Sequence, residues 1–433
     1  MICRDSVVIL GAGASTPFYG NHSSRITTTS LVEAVLKSEN WNRQISKFVQ
    51  FYQSNNLGAL INFDVDEILD LVGSLKKKIN TEFGYVTFDQ IIHLLEPITI
   101  SLSNRGFGGS SENLNELFFD VSTFSYSSTS IDAWRYVPYL IREVIAFEIN
   151  RCFNSKNNKK HVYLKRLRKW HQENLSRMSL QIYSFNYDML LAESVRGLGI
   201  ESGFRNNSFD GEAYWHSKSS YSQLHGRIDA YADDENYILA RNPRIAQRNR
   251  LANASSSDVR SIFRISANGS LGKHYNTWLV SGMEKIETFS TRPFSTFFQK
   301  LALDITRTDV IVIIGSSLGD IHINSFIVNA VEISKKKIVL VTKLRIDDFL
   351  SNFQMLSFNN QDFLVNLMVR MGFTVSSVGN TVVQGVQNFK NRVWTEYNKG
   401  GFFYLNNRVA IVPDGSKFFY ENAVLMRRIF PRT

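Results

Sequence analysis

Ser6-Val7-Val8-Ile9-Leu10, followed at once by Gly11-Ala12-Gly13-Ala14-Ser15, decides the fold. Val7, Val8, Ile9 and Leu10 form an unbroken apolar run with no polar face. That is the pattern of a central parallel strand covered on both sides. Open parallel sheets place their ligands at the carboxyl ends of the strands, and the glycine-rich turn stands at such an end. Glycine lets the backbone turn sharply and approach a phosphate with no Cβ in the way. The hydride-transfer fingerprint would need a third glycine where Thr16 stands and would open straight into a helix. Here a polar loop runs to Ser30, where Ser30-Leu31-Val32-Glu33 has the form of a capping box. A phosphate-cradling loop is expected; a glycine turn without a ligand is the plain alternative.

Three further stretches repeat this strand-then-polar-tip form. Leu180 to Ser184 runs out into Phe185-Asn186-Tyr187-Asp188 and then a helix from Met189 to Val195. Tyr221 to Leu224 ends in His225-Gly226. Asp309 to Ile314 reads as a second fully buried strand with the tip Gly315-Ser316-Ser317-Leu318, followed by a helix over Ile323–Ser334 and a strand at Ile338–Val341. Strands alternating with helices predict a parallel sheet with right-handed crossovers. The fold class expected is α/β: a Rossmann-like parallel sheet (1–37 and 178–345), a large helical insertion (38–177) and a small C-terminal α+β extension (346–433).

In the insertion, Asp64-Val65-Asp66-Glu67 is a second capping box, and Trp134 to Phe153 is apolar enough to pack on two sides. Between them, Ser101 to Ser130 reads as a loop rich in Ser, Gly and Asn. Lys159-Lys160 and Lys165-Arg166-Leu167-Arg168-Lys169 make a basic helix edge, whose usual meaning is a solvated face. Glu201–Ser220 reads as loop, and Asp233 to Gly269 as a polar, basic cover. In the extension, Gly400 to Gly415 reads as a hairpin with an Asn406-Asn407 turn and then a Pro413-Asp414-Gly415 turn, and its aromatics suggest an assembly or partner surface.

The bulk numbers narrow the class. A chain of 433 residues with 43% hydrophobic residues and only 7 prolines can bury a large core and is not a disordered chain. Two cysteines, Cys3 and Cys152, cannot build a disulfide framework or a four-cysteine zinc site, which points to a reducing, cytoplasmic setting. The first strand opens by Asp5, so no secretion signal is expected, and no apolar run approaches the ~20 residues of a membrane span. A net charge of +10 invites anionic partners, nucleotide or nucleic acid among them.

Taken in order, Gly11-Ala12-Gly13-Ala14-Ser15, Ser184-Phe185-Asn186-Tyr187-Asp188, Leu224-His225-Gly226 and Gly315-Ser316-Ser317-Leu318 resemble the sirtuin-like family, whose members bind NAD with a GAG-S loop, a T-x-N-x-D tip, an L-H-G tip and a late G-T/S-S-L tip. With Phe63-Asp64-Val65-Asp66-Glu67-Ile68-Leu69 in the insertion, the chain is similar to the sirtuin-like NAD hydrolases of bacterial antiphage defence, in particular the form that partners a HerA-type ATPase. The resemblance covers roughly residues 5–345. It implies an NAD+ glycohydrolase that depletes NAD, a homo-oligomer, and a HerA-type ATPase or helicase as partner. Two departures separate the chain from the deacetylases: it lacks the four-cysteine zinc module, and Arg25-Ile26-Thr27-Thr28-Thr29 stands in place of a Pro-Asp-Phe-Arg segment.

Cleaving the nicotinamide–ribose bond passes through an oxocarbenium-like state with a neutral leaving group, analogous to glycoside hydrolysis. Asn186 offers a donor and an acceptor together for the ribose hydroxyls or the attacking water. Asp188 can accept from the nicotinamide carboxamide, and His225 suits a general base. Gly11, Ala12, Gly13 and Ser15 would bind the pyrophosphate, the glycines through backbone N–H and Ser15 through its hydroxyl. Gly315, Ser316 and Ser317 would approach the adenosine side. NAD+ is the substrate and no metal is expected. Two other readings stay open: a non-catalytic NAD or ADP-ribose sensor gating a partner ATPase, and a DNA-acting subunit. Transfer of ADP-ribose to a protein is not distinguished from hydrolysis by the sequence.

Overall fold

The computed structural model describes residues 5–19, 146, 149–150, 153–154, 159–176, 178–233, 236–240, 243–246, 292–316, 326–327, 336–347, 380–404, 409–422 and 425–429. In chain order the strands are β1 (Ser6–Leu10), β2 (Leu180–Ser184), β3 (Phe204–Arg205), β4 (Ser208–Phe209), β5 (Ser220–Gln223), β6 (Ala230–Asp233), β7 (Asn236–Leu239), β8 (Val310–Ile314), β9 (Lys337–Val341), β10 (Phe403–Tyr404) and β11 (Val409–Val412). The helices are α1 (Thr16–Tyr19), α2 (Lys159–Leu175), α3 (Leu190–Val195), α4 (Gly211–Trp215), α5 (Phe294–Arg307), α6 (Asn380–Gly400), α7 (Gly415–Glu421) and α8 (Leu425–Ile429). A single 3-10 turn, Ala12–Ala14, follows β1.

Seven strands form one sheet in the order β10-β11-β9-β8-β1-β2-β5. All neighbouring pairs are parallel except β10 with β11. β1 lies between β2 and β8, with Val8 opposite Ile182 on one side and Val312 on the other. Every residue of β1, β2 and β8 is buried, as expected of strands covered on both faces. Among the parallel strands, counted as they occur in the chain, the third (β5), second (β2) and first (β1) lie on one side, and the fourth (β8), fifth (β9) and sixth (β11) on the other. The direction of winding therefore reverses between β1 and β8. The fold is α/β, built on a mostly parallel sheet with helices.

The C-terminal residues, expected as a small α+β extension, add two strands to the sheet. β11 pairs parallel with β9, Val409 opposite Ile338 and Val412 opposite Val341, and β10 closes the edge antiparallel. The reason is local: Val409-Ala410-Ile411-Val412 is as apolar as β1 and wholly buried, so its stable place is inside the sheet. α7 then folds back over α2. Trp170 of α2 packs against Phe419 and Tyr420 at ring-centroid distances of 5.6 and 5.7 Å.

Glu201–Ser220, expected as loop, holds a short hairpin and a helix. Asn206 and Asn207 both take positive φ (50° and 70°) between the paired Arg205 and Ser208, the two-residue turn that suits the twist of a hairpin. Asp210 caps α4 by accepting from the Ala213 N–H at 3.0 Å. Tyr214, expected in that loop, is fully buried against Phe297 of α5. Beneath it, Tyr183 donates to Asp304 at 2.5 Å, and Lys300 reaches the same carboxylate at 2.8 Å. Burial, then the neighbouring Tyr214, holds the Tyr183 phenol well above its ordinary pKa, so it stays a neutral donor.

The basic edge of α2 has partners within the chain. Arg166 pairs with Glu421 of α7, Arg168 donates to the Arg196 carbonyl at 2.6 Å, and Lys169 stands 3.7 Å from Glu173. Its charges therefore serve in part to tie α2 to α7 and to the end of α3. No helix among the described residues is long and apolar enough to cross a membrane. The segments at Ser30–Glu33, Phe63–Leu69 and Ser101–Ser130, and most of 346–379, lie outside the described residues, as does Ser317.

Candidate functional site

The four tips meet at the carboxyl edge of the sheet. Beyond β1, the Gly11 N–H donates to the Ile314 carbonyl at 2.9 Å and the Gly13 N–H to the Gly315 carbonyl at 2.7 Å. The Ala14 N–H closes back on the Gly11 carbonyl at 2.9 Å. The β1 tip is thus pressed onto the β8 tip, backbone against backbone. A Cβ on Gly11 would lie 2.4 Å from the Ser316 Cα, and one on Gly13 would lie 2.9 Å from the Gly315 Cα. These glycines are required by the approach of two stretches of protein chain, a different reason from the approach of a phosphate. The amides of Gly11 and Gly13 are committed to the β8 tip, and Ser15, the polar side chain of this loop, is buried with its hydroxyl turned to Asn186.

The carbonyl side of the same loop is also held. Tyr163 of α2 donates its hydroxyl to the Ala14 carbonyl at 2.7 Å, and Ser416 of α7 donates to the Gly13 carbonyl at 2.9 Å. Burial, then the nearby Tyr420, raises the Tyr163 phenol well above its ordinary pKa and keeps its proton in place. Tyr163→Phe is expected to lower stability by about 1–2 kcal/mol, because the Ala14 carbonyl would lose a buried donor. Urea denaturation measures this; an unchanged midpoint would show that the clamp contributes nothing.

The β2 tip carries the next groups. The Phe185 N–H donates to the Leu10 carbonyl at 2.9 Å, which keeps the chain beside β1 one residue past the strand. The Asn186 N–H is accepted by Ser184 Oγ at 3.1 Å, and Asn186 Nδ2 donates to Ser15 Oγ at 2.8 Å. The pair brings together two residues that the sequence singles out 171 positions apart. Asp188 is buried, and its Oδ1 accepts from the Leu190 N–H at 2.8 Å, the local turn that an aspartate side chain commonly makes with the backbone two residues on.

The β5 tip closes the group. His225 is 9% exposed, with its ring 5.2 Å from that of Phe185 and 5.9 Å from that of Tyr187. It therefore sits beside the β2 tip, flanked by the residues on either side of Asn186. Gly226 follows with φ of +82°, a conformation that only glycine adopts without strain.

Sequence reasoning singled out His225 at this tip and missed three of its neighbours. Gln223 Nε2 donates to the Asn186 and Asp188 carbonyls at 2.8 and 2.6 Å. Arg227 and Asp229 form a buried two-pronged pair, Nε to Oδ1 at 2.8 Å and Nη2 to Oδ2 at 2.7 Å. Arg-x-Asp directly after Leu-His-Gly was the available signal for that pair. Nothing in the local pattern marks Gln223, since its partners lie on another strand.

Compared with protein-family models and with curated proteins, the chain finds no match. The chemistry of the site is therefore argued from its own groups. They are an amide fixed to a hydroxyl (Asn186 and Ser15), an imidazole held among aromatic rings (His225), and a β1–β8 junction that forms the floor. Among the described residues no group of three or more His, Cys, Asp or Glu is placed to hold a metal ion.

Proposed function

We propose that the chain is an NAD+ glycohydrolase with a Rossmann-like sheet, hydrolysing NAD+ to nicotinamide and ADP-ribose. The observation that carries this reading is the Asn186–Ser15 hydrogen bond at the carboxyl edge of the sheet, next to the β1–β8 reversal, with the His225 ring packed on Phe185 and Tyr187 to either side of Asn186. The strand order 3-2-1-4-5-6 is the one dinucleotide-binding sheets use, and their ligand lies in the crevice where the order reverses. In the proposed reaction, water adds to the ribose carbon as the bond to the nicotinamide nitrogen breaks, and the bonding pair leaves on that nitrogen. Nicotinamide departs neutral. The proton lost by the water passes to His225, and the Asn186 carboxamide, steadied by Ser15, orients the water or the ribose hydroxyls.

The test is direct. Wild-type protein, alone and with a HerA-type ATPase, is incubated with NAD+ while nicotinamide and ADP-ribose are followed by chromatography. Asn186→Ala should lower the rate at least about tenfold, the loss expected when an orienting group is removed. A wild type that neither binds nor cleaves NAD+ in either condition ends the reading. A second reading, an NAD or ADP-ribose sensor without turnover, draws on the depth of the site: Asn186, Asp188 and His225 are all buried, and Asp188 Oδ1 is already engaged. Stabilisation by NAD+ that persists in His225→Ala, with no product from wild type, would select it.

A further inference from the structure

We propose that Gln223 is a positioning residue for the reaction, setting Asn186 for catalysis from the neighbouring strand. The inference rests on the proposed cleavage of NAD+. The β2–β5 ladder ends at the pair Ser184 and Gln223. Beyond it the β2 tip keeps a bond to β1, from the Phe185 N–H to the Leu10 carbonyl, while the carbonyls that follow need donors from elsewhere. The β5 tip supplies them. Gln223 Nε2 donates to the Asn186 carbonyl at 2.8 Å and the Asp188 carbonyl at 2.6 Å, and the Ile228 N–H donates to the Tyr187 carbonyl at 3.1 Å. Three successive carbonyls, those of residues 186, 187 and 188, are thus gripped from one loop. The Asn186 side chain, whose backbone this grip fixes, is the one that reaches Ser15.

The direction of the Gln223 amide is set by its surroundings. Its nitrogen faces two carbonyl oxygens, and its buried Oε1 has no hydrogen-bond partner among the described residues. Turned over, the amide would set oxygen against oxygen twice, so only a donor at this atom holds the tip. The residue also stands two positions before His225 on the same tip. One amide therefore couples the placement of the proposed base to that of the orienting carboxamide.

Full-length Gln223→Met keeps the length and removes the donor; Gln223→Glu keeps the shape and replaces the donor with an acceptor. Ser220→Ala is the control: Ser220 lies on the same strand, its hydroxyl donates to Gln181 Oε1 at 2.5 Å, and it touches neither tip. Steady-state cleavage of NAD+ should show kcat down about tenfold in Gln223→Met with KM little changed, and Gln223→Glu lower still. Ser220→Ala should keep kcat even where its melting temperature falls. In an Asn186→Ala background Gln223→Met should bring no further loss, since its effect runs through Asn186. Unchanged kcat in Gln223→Met, or the same factor lost in both backgrounds, overturns the proposal while NAD+ cleavage by wild type stands. If wild type binds NAD+ and does not cleave it, the enzymatic reading falls. The positioning role is then decided by NAD+ affinity, which Gln223→Met must weaken and Asn186→Ala must make insensitive to it. Absence of any NAD+ binding overturns both.

Discussion

Gly315→Ala is expected to destabilise the folded chain by about 2–5 kcal/mol, read as a fall in the urea midpoint at unchanged slope. Two effects add. Gly315 has φ of +61°, where an L side chain costs about 1–2 kcal/mol. Its Cβ would also lie 2.2 Å from the Ala14 nitrogen and 2.3 Å from the Gly13 carbonyl carbon, where backbone has no side-chain rotation to relieve it, and overpacking typically costs about 1–3 kcal/mol more. The contributions can be separated within the same protein. Gly199 has φ of +73° with nothing within 4 Å of an added Cβ, so Gly199→Ala isolates the conformational part at about 1 kcal/mol. Gly11 meets Ser316 Cα at 2.4 Å without a positive φ, so Gly11→Ala isolates the contact. If Gly315→Ala is no worse than Gly199→Ala, the β1 and β8 tips are not pressed together as described. The placement of Ser15 and Asn186 above them would then lose its foundation.

The same junction explains what was legible in the sequence and what was not. β1 and β8 are runs of apolar residues that can only be buried strands, and each passes directly into glycine; residue pattern alone carries that much. It also carries the common edge of the four tips, because parallel strands bring their carboxyl ends to one side of a sheet. The reason for the glycines was not legible. A turn that admits a phosphate and a turn that admits another backbone use the same residue, and only the distance from Gly11 to Ser316 distinguishes them.

At the C-terminal end the hairpin was legible and its place in the sheet was not. Phe402 to Val412 has the local pattern of a hairpin, and β10 does pair with β11, but joining the sheet depends on the open edge of β9. That edge belongs to residues about 70 positions earlier, beyond the reach of any window. Ser416 on Gly13 and Gln223 on Asn186 fall in the same class: polar side chains of ordinary type whose meaning is given by carbonyls distant in sequence. Asn206-Asn207 was open to a local reading, since two residues tolerant of positive φ between Phe204 and Phe209 form a hairpin signal.

Acid should weaken the fold through His171, and His171→Leu should remove that part of the response. The imidazole lies on α2, wholly buried and edge-on to Trp170 at 5.3 Å, and neither ring nitrogen has a hydrogen-bond partner among the described residues. Burial alone lowers its pKa from 6.5 to about 3, because a charged ring there would give up water for apolar neighbours. In the unfolded chain the group titrates near 6.5, so below that pH the unfolded state binds a proton that the folded state refuses. Stability is therefore fully present above pH 6.5 and falls as the pH drops toward 3, by up to about 1.4 kcal/mol per pH unit. Between pH 7 and pH 4 this one group should remove about 3 kcal/mol. Denaturant curves for wild type and His171→Leu at several pH values across that window measure it, the variant losing about 3 kcal/mol less over the same span. Parallel pH profiles for the two proteins would mean that His171 has a proton acceptor or water in the folded state, and that the aromatic layer between α2 and α7 is more open than described. That layer also positions Tyr163 and Ser416 on the carbonyls of the β1 tip. A proton forced onto His171 would loosen the candidate site from behind; under the proposed function, loss of NAD+ binding should track the same acid limb in wild type and be displaced to lower pH in His171→Leu.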